Sequence, residues 1–243
     1  MYKGFRAIKA FFFLLRPHAW GPFVSVAEKT RFDHAFSISW SQGGEDLALL
    51  AVLETEKPGR YIDIGAHHPS RFSVTRHLYQ RGWHGVNVDA NKELIDQFNR
   101  VRRRDINICI AVGTEPRYKF TIFEEPALST LDTEWRKKFV SESNPISRTV
   151  DIEGRKLRSI LDDFDAHEAV DLLSIDAEGS DLQVLQSIEF DTLEVSRFPK
   201  WLLLEAAPPV SNALQTPAVK LAISWGYEPH MVLAMSTLLK YAG

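Results

Sequence analysis

Short apolar runs alternate along the chain with longer stretches in which apolar residues recur at helical spacing. An apolar run of about four to eight residues is typical of a buried strand, and apolar residues three or four positions apart predict one buried helix face. Buried strands are predicted at residues 60–66, 84–90, 106–112, 170–177 and 201–206. Helices are predicted at residues 72–81, 91–102, 157–164, 180–188 and 215–225. Strands separated by such helices indicate βαβ units, and therefore an α/β domain with a mostly parallel sheet.

The alternation is interrupted in the middle of the chain and at its end. Residues 118–123 alternate as a strand and residues 149–152 fit another, so the segment 114–156 is interpreted as a β-rich insertion. Residues 227–234 and 237–241 fit a C-terminal β-hairpin. Before the first strand, a helix is predicted to follow Ser41, whose side chain can cap it.

The N-terminal segment differs in character from the rest of the chain. Residues 2–16 combine basic residues with the apolar run AFFFLL and fit a basic amphipathic helix. The run is shorter than the apolar core of a signal peptide. This helix could pack on the domain, contact an anionic membrane surface peripherally, or be a disordered leader. We therefore divide the chain into residues 1–40, the helix and a connector, and residues 41–243, the α/β domain.

Charge and cysteine content exclude several classes of protein. The chain has 29 basic and 32 acidic residues and a net charge of −3, whereas nucleic-acid-binding domains are usually markedly basic. No nucleic-acid partner is therefore expected, and the basic run at residues 100–104 is interpreted as a solvated helix end. Cys109 is the only cysteine, which excludes an intramolecular disulfide and a Cys-rich zinc site. A cytoplasmic location is expected, with peripheral membrane contact only through residues 2–16.

Candidate ligand-binding residues follow the predicted strands, because open parallel sheets bind ligands beyond the carboxyl ends of their strands. Gly65 follows the first strand and permits a tight turn close to a ligand. Asp89 ends the second strand, where an acid can hold both ribose hydroxyls of a cofactor, although it could instead cap the following helix. The turn lacks the pattern G-x-G-x-x-G, so a pyrophosphate site is poorly supported. A cofactor with a ribose and no phosphates, such as S-adenosylmethionine, fits this pattern.

Residues that could act on a substrate lie at two strand ends. Asp176 and Glu178 could orient a hydroxyl, act as a general base or share a hard cation, or could simply suit a helix N-terminus. Two carboxylates alone do not establish a metal site, so no metal is predicted. His67 and His68 follow the glycine turn, and a neutral histidine is a plausible base. His67 is the preferred candidate, with a structural turn as the alternative for both histidines.

Five blocks of sequence occur in an order that resembles the FkbM-like methyltransferases. They are SQGGED at residues 41–46, YIDIGAHHP at 61–69 with its continuation to residue 90, RDIN at 104–107, EPALST at 125–130, and LSIDAEGSDLQVL at 173–185. Because all five occur in the same order, the resemblance is specific, and it covers about residues 40–241.

The resemblance implies a Rossmann-like class I methyltransferase sheet of seven strands, S-adenosylmethionine as methyl donor, and usually a hydroxyl as acceptor. It also implies that the turn after the first strand meets the methionine part of the cofactor, the acid ending the second strand meets the ribose, and the third strand end flanks the adenine. The implied cofactor-binding residues are Gln42, Glu45, Asp63, Gly65, Ala66, Asp89, Ala90, Ile110 and Ala111. The catalytic candidates are His67, Asp176 and Glu178.

The leading hypothesis is an O-methyltransferase that acts on a sugar, a glycan or a secondary metabolite. The alternative is a degenerate methyltransferase fold that associates with a membrane or a partner without catalysis. An NAD-dependent oxidoreductase on a similar sheet is disfavoured because the dinucleotide fingerprint is missing.

Overall fold

The computed structural model describes residues 37–53, 57–164, 170–206 and 209–243. The amphipathic helix predicted at residues 2–16, and most of the connector, lie outside these residues, so the division of the chain at residue 40 stays a prediction. Among the described residues, no helix is long and apolar enough to cross a membrane.

The described residues form strands and helices in the alternating order that the sequence predicts. The strands are β1 (Arg60–Ile64), β2 (His84–Asp89), β3 (Ile106–Cys109), β4 (Ala111–Val112), β5 (Arg117–Phe123), β6 (Ile146–Arg155), β7 (Leu172–Ile175), β8 (Trp201–Glu205), β9 (Tyr227–Val232) and β10 (Ser236–Tyr241). The α-helices are α1 (Glu45–Val52), α2 (Arg76–Gln80), α3 (Lys92–Val101), α4 (Thr133–Ser141), α5 (Leu157–Phe164), α6 (Asp181–Gln186), α7 (Val210–Ala213) and α8 (Pro217–Ser224).

Seven of these strands make the main sheet, in the order β3-β2-β1-β7-β8-β10-β9. The pairs from β3 to β8 are parallel, and β10 pairs antiparallel with both β8 and β9. The mostly parallel seven-stranded sheet and its C-terminal hairpin are thus confirmed. The β-rich insertion contributes β5 and β6 to a separate three-stranded sheet, in the order β4-β6-β5.

The central strands are buried on both faces, as in other parallel sheets. Ile62 and Leu173 belong to the apolar cluster on one face, whereas their neighbours Tyr61 and Leu172 belong to the cluster on the other. All four side chains are fully buried. Because successive side chains alternate across a strand, continuous apolar runs such as these require packed layers on both sides.

Helix α2 covers only the second half of the helix predicted at residues 72–81. The preceding loop is held in a different conformation, in which Phe72 has a positive φ of 57°. Arg102 fixes this loop by donating to the carbonyl oxygen of Pro69 at 3.0 Å and to the hydroxyl of Ser73 at 2.6 Å. Long-range contacts therefore override the local helical pattern.

The predicted strand at residues 106–112 is two strands. The chain leaves the main sheet at Ile110, between β3 and β4, and β4 pairs with β6 of the second sheet. The strand predicted at 149–152 is correspondingly longer, because β6 pairs with both β4 and β5.

Ser41 is not the N-cap residue of the first helix, although its hydroxyl accepts the N–H of Asp46 in the first turn at 3.3 Å, as a capping side chain does. Gly44 is the N-cap of α1 and has a φ of 86°, which glycine adopts readily. The Ser41 hydroxyl also donates to the carboxylate of Asp46 at 2.9 Å, which stabilises the turn before the helix.

The basic run at residues 100–104 is not wholly solvated, contrary to expectation. Arg102 is buried, whereas the neighbouring apolar residue Val101 is 55% exposed. The guanidinium of Arg102 donates to the hydroxyls of Thr75 at 2.8 Å and Tyr61 at 3.2 Å. A charge can be buried here because its N–H groups have protein acceptors.

Candidate active site

An open cleft of about 980 Å³, its mouth included, lies beyond the carboxyl ends of the central parallel strands. The strand order reverses between β1 and β7, and such a switch point is where open α/β sheets bind ligands. The residues predicted from the sequence that line the cleft are Gln42, Glu45, Gly65, His67, Asp89, Ala90, Ile110, Ala111, Asp176 and Glu178. Asp63 and Ala66 do not line it and are buried.

Gly65 brings the ends of three strands together. Its N–H donates to the carbonyl oxygen of Val88 in β2 at 2.9 Å, and the N–H of Asp176 donates to the carbonyl oxygen of Ile64 at 3.0 Å. Gly65 has a φ of 75°, and an added Cβ would lie 1.7 Å from the carbonyl oxygen of Asp176. A side chain at this position would therefore push apart the two strand ends that frame the cleft.

Asp89 is held in place by backbone donors. Its Oδ2 accepts the N–H of His67 at 2.9 Å and its Oδ1 accepts the N–H of Asn91 at 2.7 Å. Burial raises the pKa of Asp89 to about 7, although these two hydrogen bonds oppose the shift. Asn91, rather than Asp89, caps α3, since its side chain accepts the N–H of Glu93 at 3.0 Å. Asp89 is thus available to a ligand in the cleft.

Asp63 lies behind the cleft, in a polar network that supports the β1 turn. Its Oδ2 accepts the hydroxyl of Thr75 at 2.8 Å, and Thr75 in turn accepts from Arg102. Burial raises the pKa of Asp63. This arrangement makes Asp63 an anchor for the loop that follows β1.

The SQGGED segment forms one end of the cleft, with Gln42 and Glu45 in its lining. Asp46, the next residue, is buried and organises the segment by accepting the N–H of Trp40 at 2.6 Å and the hydroxyl of Ser39 at 2.7 Å. His77 of α2 lies 3.6 Å from the same carboxylate. The segment is therefore joined to the helix that follows the β1 loop.

Asp176 and Glu178 belong to an acidic group with Asp181 and Glu205. Asp176 is exposed towards the cleft, and desolvation by the surrounding protein, together with Glu205 and the other carboxylates, raises its pKa well above the usual value. Burial and the same neighbours raise the pKa of Glu178 to about 8, opposed by the Lys138 ammonium. Burial raises the pKa of Glu205 to about 7. Glu178 and Glu205 therefore titrate near neutral pH, which suits acid–base chemistry.

His67 is a weaker base than its residue type suggests. Burial and the nearby Arg71 guanidinium lower its pKa to about 4. Its Nε2 lies 3.4 Å from Nη1 of Arg71. The Arg71 guanidinium also donates two hydrogen bonds of 2.8 Å to the carboxylate of Glu125. His68 has the structural role considered for it, because its Nδ1 accepts the N–H groups of Ser70 and Arg71.

The insertion contributes residues that the sequence analysis did not assign to the site. Thr130 donates to the carbonyl oxygen of Glu178 at 2.7 Å, and the ring of Trp135 packs on Gly179, where an added Cβ would lie 1.6 Å from the ring. Trp135 lies on α4, a helix that was not predicted. A signal for it was present, because Asp132 is a good N-cap residue and its side chain accepts the N–H groups of Glu134 and Trp135.

The apolar lining was also only partly predicted. Besides Ile110 and Ala111, the cleft is lined by Phe72, Val74, Phe120, Leu131 and Met235. Within the described ranges, no group of three or more His, Cys, Asp or Glu side chains is arranged to hold a metal ion.

Comparison with known proteins supplies the family. Among curated proteins, no significant match to the chain was found. Similar solved structures include a TehB-like SAM-dependent methyltransferase from Corynebacterium glutamicum, with 10% identity, coverage of 92% of this chain and 96% of that chain, and a TM-score of 0.42. Fibrillarin from Aeropyrum pernix has 13% identity, coverages of 81% and 72%, and a TM-score of 0.42.

A third similar structure is the 1,6-didemethyltoxoflavin-N1-methyltransferase of Burkholderia thailandensis, with 10% identity, coverages of 91% and 86%, and a TM-score of 0.42. The family assignment rests instead on sequence, since residues 63–214, more than half of the chain, match the Methyltransferase FkbM domain. This match confirms the family expected from the sequence, and with it S-adenosylmethionine as the methyl donor. The chain belongs to the FkbM family of methyltransferases.

Proposed function

We propose that the protein transfers a methyl group from S-adenosylmethionine to a hydroxyl of a small acceptor, such as a sugar, a glycan or a secondary metabolite. One observation carries this proposal. A single cleft holds Gly65 and Asp89 on one side of the switch point and Asp176 and Glu178 on the other. It can therefore place a cofactor beside carboxylates able to accept a proton.

The residues of the cleft fit the cofactor. Each Asp89 oxygen accepts one backbone N–H and retains a lone pair for a ribose hydroxyl. Gly65 lines the cleft at the turn after β1, where a residue without a side chain lets the methionine part approach the backbone. Ile110 and Ala111 present an apolar surface suited to adenine. Ala90 lies beside them in the lining.

The chemistry divides between the donor and the chain. The sulfonium supplies an electrophilic methyl group, and the electron pair of the broken carbon–sulfur bond stays on sulfur in S-adenosylhomocysteine. The chain must align the acceptor oxygen with that methyl group and receive the hydroxyl proton. Asp176 and Glu178 suit the second task, because their raised pKa makes them stronger bases than ordinary carboxylates.

His67 is better suited to positioning than to proton transfer. A side chain with a pKa of about 4 is a weak base and provides little driving force for removing a proton from a hydroxyl group. Its backbone N–H holds Asp89, and its ring stacks on Phe72 at a centroid distance of 5.9 Å. We therefore assign His67 a positioning role, between the turn after β1 and the part of the cleft where the acceptor would bind.

Calorimetry with S-adenosylhomocysteine tests the cofactor half of the proposal, with NAD as the comparison ligand. Saturable binding of S-adenosylhomocysteine and none of NAD is expected. A panel of hydroxyl and amine acceptors, incubated with methyl-labelled S-adenosylmethionine, then tests the acceptor class. Label transferred only to amines would contradict O-methylation. A folded protein that binds neither cofactor would favour the degenerate, non-catalytic module.

A further inference from the structure

We propose that Glu45 binds the ammonium group in the methionine part of S-adenosylmethionine. This inference rests on the proposed function and assigns one polar group of the cofactor to one side chain. Glu45 is the first residue of α1, is only 2% exposed and nevertheless lines the cleft. A buried carboxylate at the edge of a ligand site is an unusual feature that requires a partner.

The two carboxylate oxygens of Glu45 differ in their surroundings. Oε2 accepts the N–H of Gly43 at 2.8 Å. Oε1 is shielded from solvent and finds no hydrogen-bond donor among the described residues. Buried charged oxygens are normally paired, so Oε1 is poised for a donor that arrives with a ligand.

The position of Glu45 does not depend on that missing donor. The neighbouring Asp46 carboxylate anchors the segment through the N–H groups of Trp40 and Leu47 and the hydroxyls of Ser39 and Ser41. Gly43 leaves the space beside Oε1 free, since an added Cβ would lie 2.5 Å from this oxygen. The segment that carries Glu45 is therefore already ordered before a ligand binds.

The segment lies beside the loop that is proposed to meet the methionine part. The carbonyl oxygen of Trp40 accepts the N–H of Ser73 at 3.1 Å, and Asp46 approaches His77. Gln42 and Val74 line the same cleft. Glu45 and Gly65 thus come from the two segments that bound this part of the site.

Charge complementarity favours a cationic ligand group. Glu45, Asp89, Asp176 and Glu178 contribute carboxyl groups to the lining, whereas none of the described lining residues is Lys or Arg. The cofactor carries two cations, the sulfonium and the primary ammonium. Only the ammonium can donate a hydrogen bond to Oε1.

The test compares Glu45→Gln with wild type for two ligands. S-Adenosylhomocysteine carries the ammonium group, whereas 5′-deoxy-5′-methylthioadenosine retains the adenosine and the sulfur but lacks the amino acid. Glu45→Gln is expected to reduce the affinity for S-adenosylhomocysteine by roughly 10- to 50-fold, within the range for losing a charge-assisted hydrogen bond. Its affinity for methylthioadenosine is expected to fall by less than about twofold. Glu228→Gln, an exposed glutamate on the outer strand β9, is the control and is expected to change neither affinity.

Each outcome bears on a different claim. If wild type binds neither ligand, the proposed function fails and this inference fails with it. If wild type binds S-adenosylhomocysteine and Glu45→Gln weakens both ligands equally, or neither, the cofactor stands and the role of Glu45 is overturned. Thermal unfolding reports whether Glu45→Gln folds, and Glu45→Asp, with its shorter reach, is the second variant. Glu45→Asp is expected to show the same selective loss of S-adenosylhomocysteine affinity. If it changes the affinities for the two ligands by the same factor, the inference is overturned.

Discussion

The carboxylate of Asp89 accepts the backbone N–H of His67 at 2.9 Å, so the acid that ends β2 is tied to the turn that follows β1. This contact lies at the junction of two strands, and His67 takes a positive φ of 53° there. A non-glycine residue rarely adopts that conformation without compensation from its surroundings. Asp89 therefore joins the turn after β1 to the end of β2 on the side of the cleft that we propose binds the cofactor.

Replacing Asp89 with alanine is expected to reduce S-adenosylhomocysteine affinity by about 30- to 100-fold. The variant loses a charged acceptor for the ribose hydroxyls, worth roughly 2–3 kcal/mol. Asp96→Ala is the matched control, since Asp96 lies on the exposed side of α3 and binds Lys92. Isothermal titration calorimetry of both variants measures the difference. Equal affinity in Asp89→Ala and wild type would remove Asp89 from the site.

The same affinity is expected to depend on pH through Asp89. Its pKa of about 7 in the free protein means that the carboxylate is largely protonated at pH 6 and largely ionised at pH 8. A ligand that donates two hydroxyl hydrogens favours the ionised form, so affinity should rise by about tenfold between these pH values. The Asp89→Asn variant should lose this component. A wild-type affinity that is flat across the range would contradict it.

The acidic group that contains Glu178 is expected to make the free energy of unfolding depend on pH. Burial raises the pKa of Glu178 to about 8, so the folded state binds more protons than the unfolded state between about pH 4.5 and 8. Stability must then fall as pH rises through this window, since the folded state must give up protons that it holds more tightly. Glu178→Gln should match wild type near pH 5 and exceed its stability by about 1–2 kcal/mol at pH 8, after allowance for partial exposure.

Chemical denaturation at the two pH values measures this effect. Glu134→Gln, at a surface position in α4, is the control and should follow the wild-type pH profile. If Glu178→Gln loses stability equally at both pH values, the side chain contributes packing and hydrogen bonds rather than a costly buried charge.

Much of this site could be predicted because it lies at strand ends. Gly65, Asp89 and Asp176 follow apolar runs that are easily recognised as buried strands, and parallel strands bring their carboxyl ends to one edge. Local pattern was sufficient for that inference. The roles of the individual groups stay predictions until ligand binding is measured.

The remaining features depend on contacts that no local pattern contains. Arg102 appears in the sequence as one arginine in an exposed run, yet it is buried because Pro69 and Ser73, about thirty positions away, supply its acceptors. The low pKa of His67 arises from burial beside Arg71. Likewise, Trp135 reaches Gly179 only because the insertion folds over the end of β7.

Gly65 and Gly44 form a matched pair for a test of the close approach between β1 and β7. Both have positive φ, but an added Cβ at Gly65 would lie 1.7 Å from the Asp176 carbonyl oxygen, whereas at Gly44 it would meet no described atom within 4 Å. Gly44→Ala should cost only about 1 kcal/mol, the usual penalty of the left-handed conformation. Gly65→Ala should cost more than about 3 kcal/mol and abolish S-adenosylhomocysteine binding. Similar losses in both variants would mean that backbone conformation, not the strand contact, sets the requirement for glycine.

Arg102 is expected to determine whether the β1 loop keeps its shape. Its guanidinium donates to Thr75, which holds Asp63, and to Pro69 and Ser73 in the loop itself. Arg102→Met preserves much of the apolar stem but leaves these acceptors without their donor, so a loss of about 3–5 kcal/mol in unfolding free energy is expected.

Urea denaturation of Arg102→Met should be compared with Arg103→Met, because Arg103 is the exposed neighbour in the same run. Arg103→Met should change the unfolding free energy by less than about 0.5 kcal/mol. Where Arg102→Met remains folded, S-adenosylhomocysteine affinity should also fall, because the loop carries His67 and Val74 into the cleft. Equal effects of the two substitutions on stability would show that burial of Arg102 does not support the loop. If Arg102→Met is destabilised but binds S-adenosylhomocysteine with unchanged affinity, the role of Arg102 is confined to stability. The polar network around Asp63 would then not influence the proposed cofactor site.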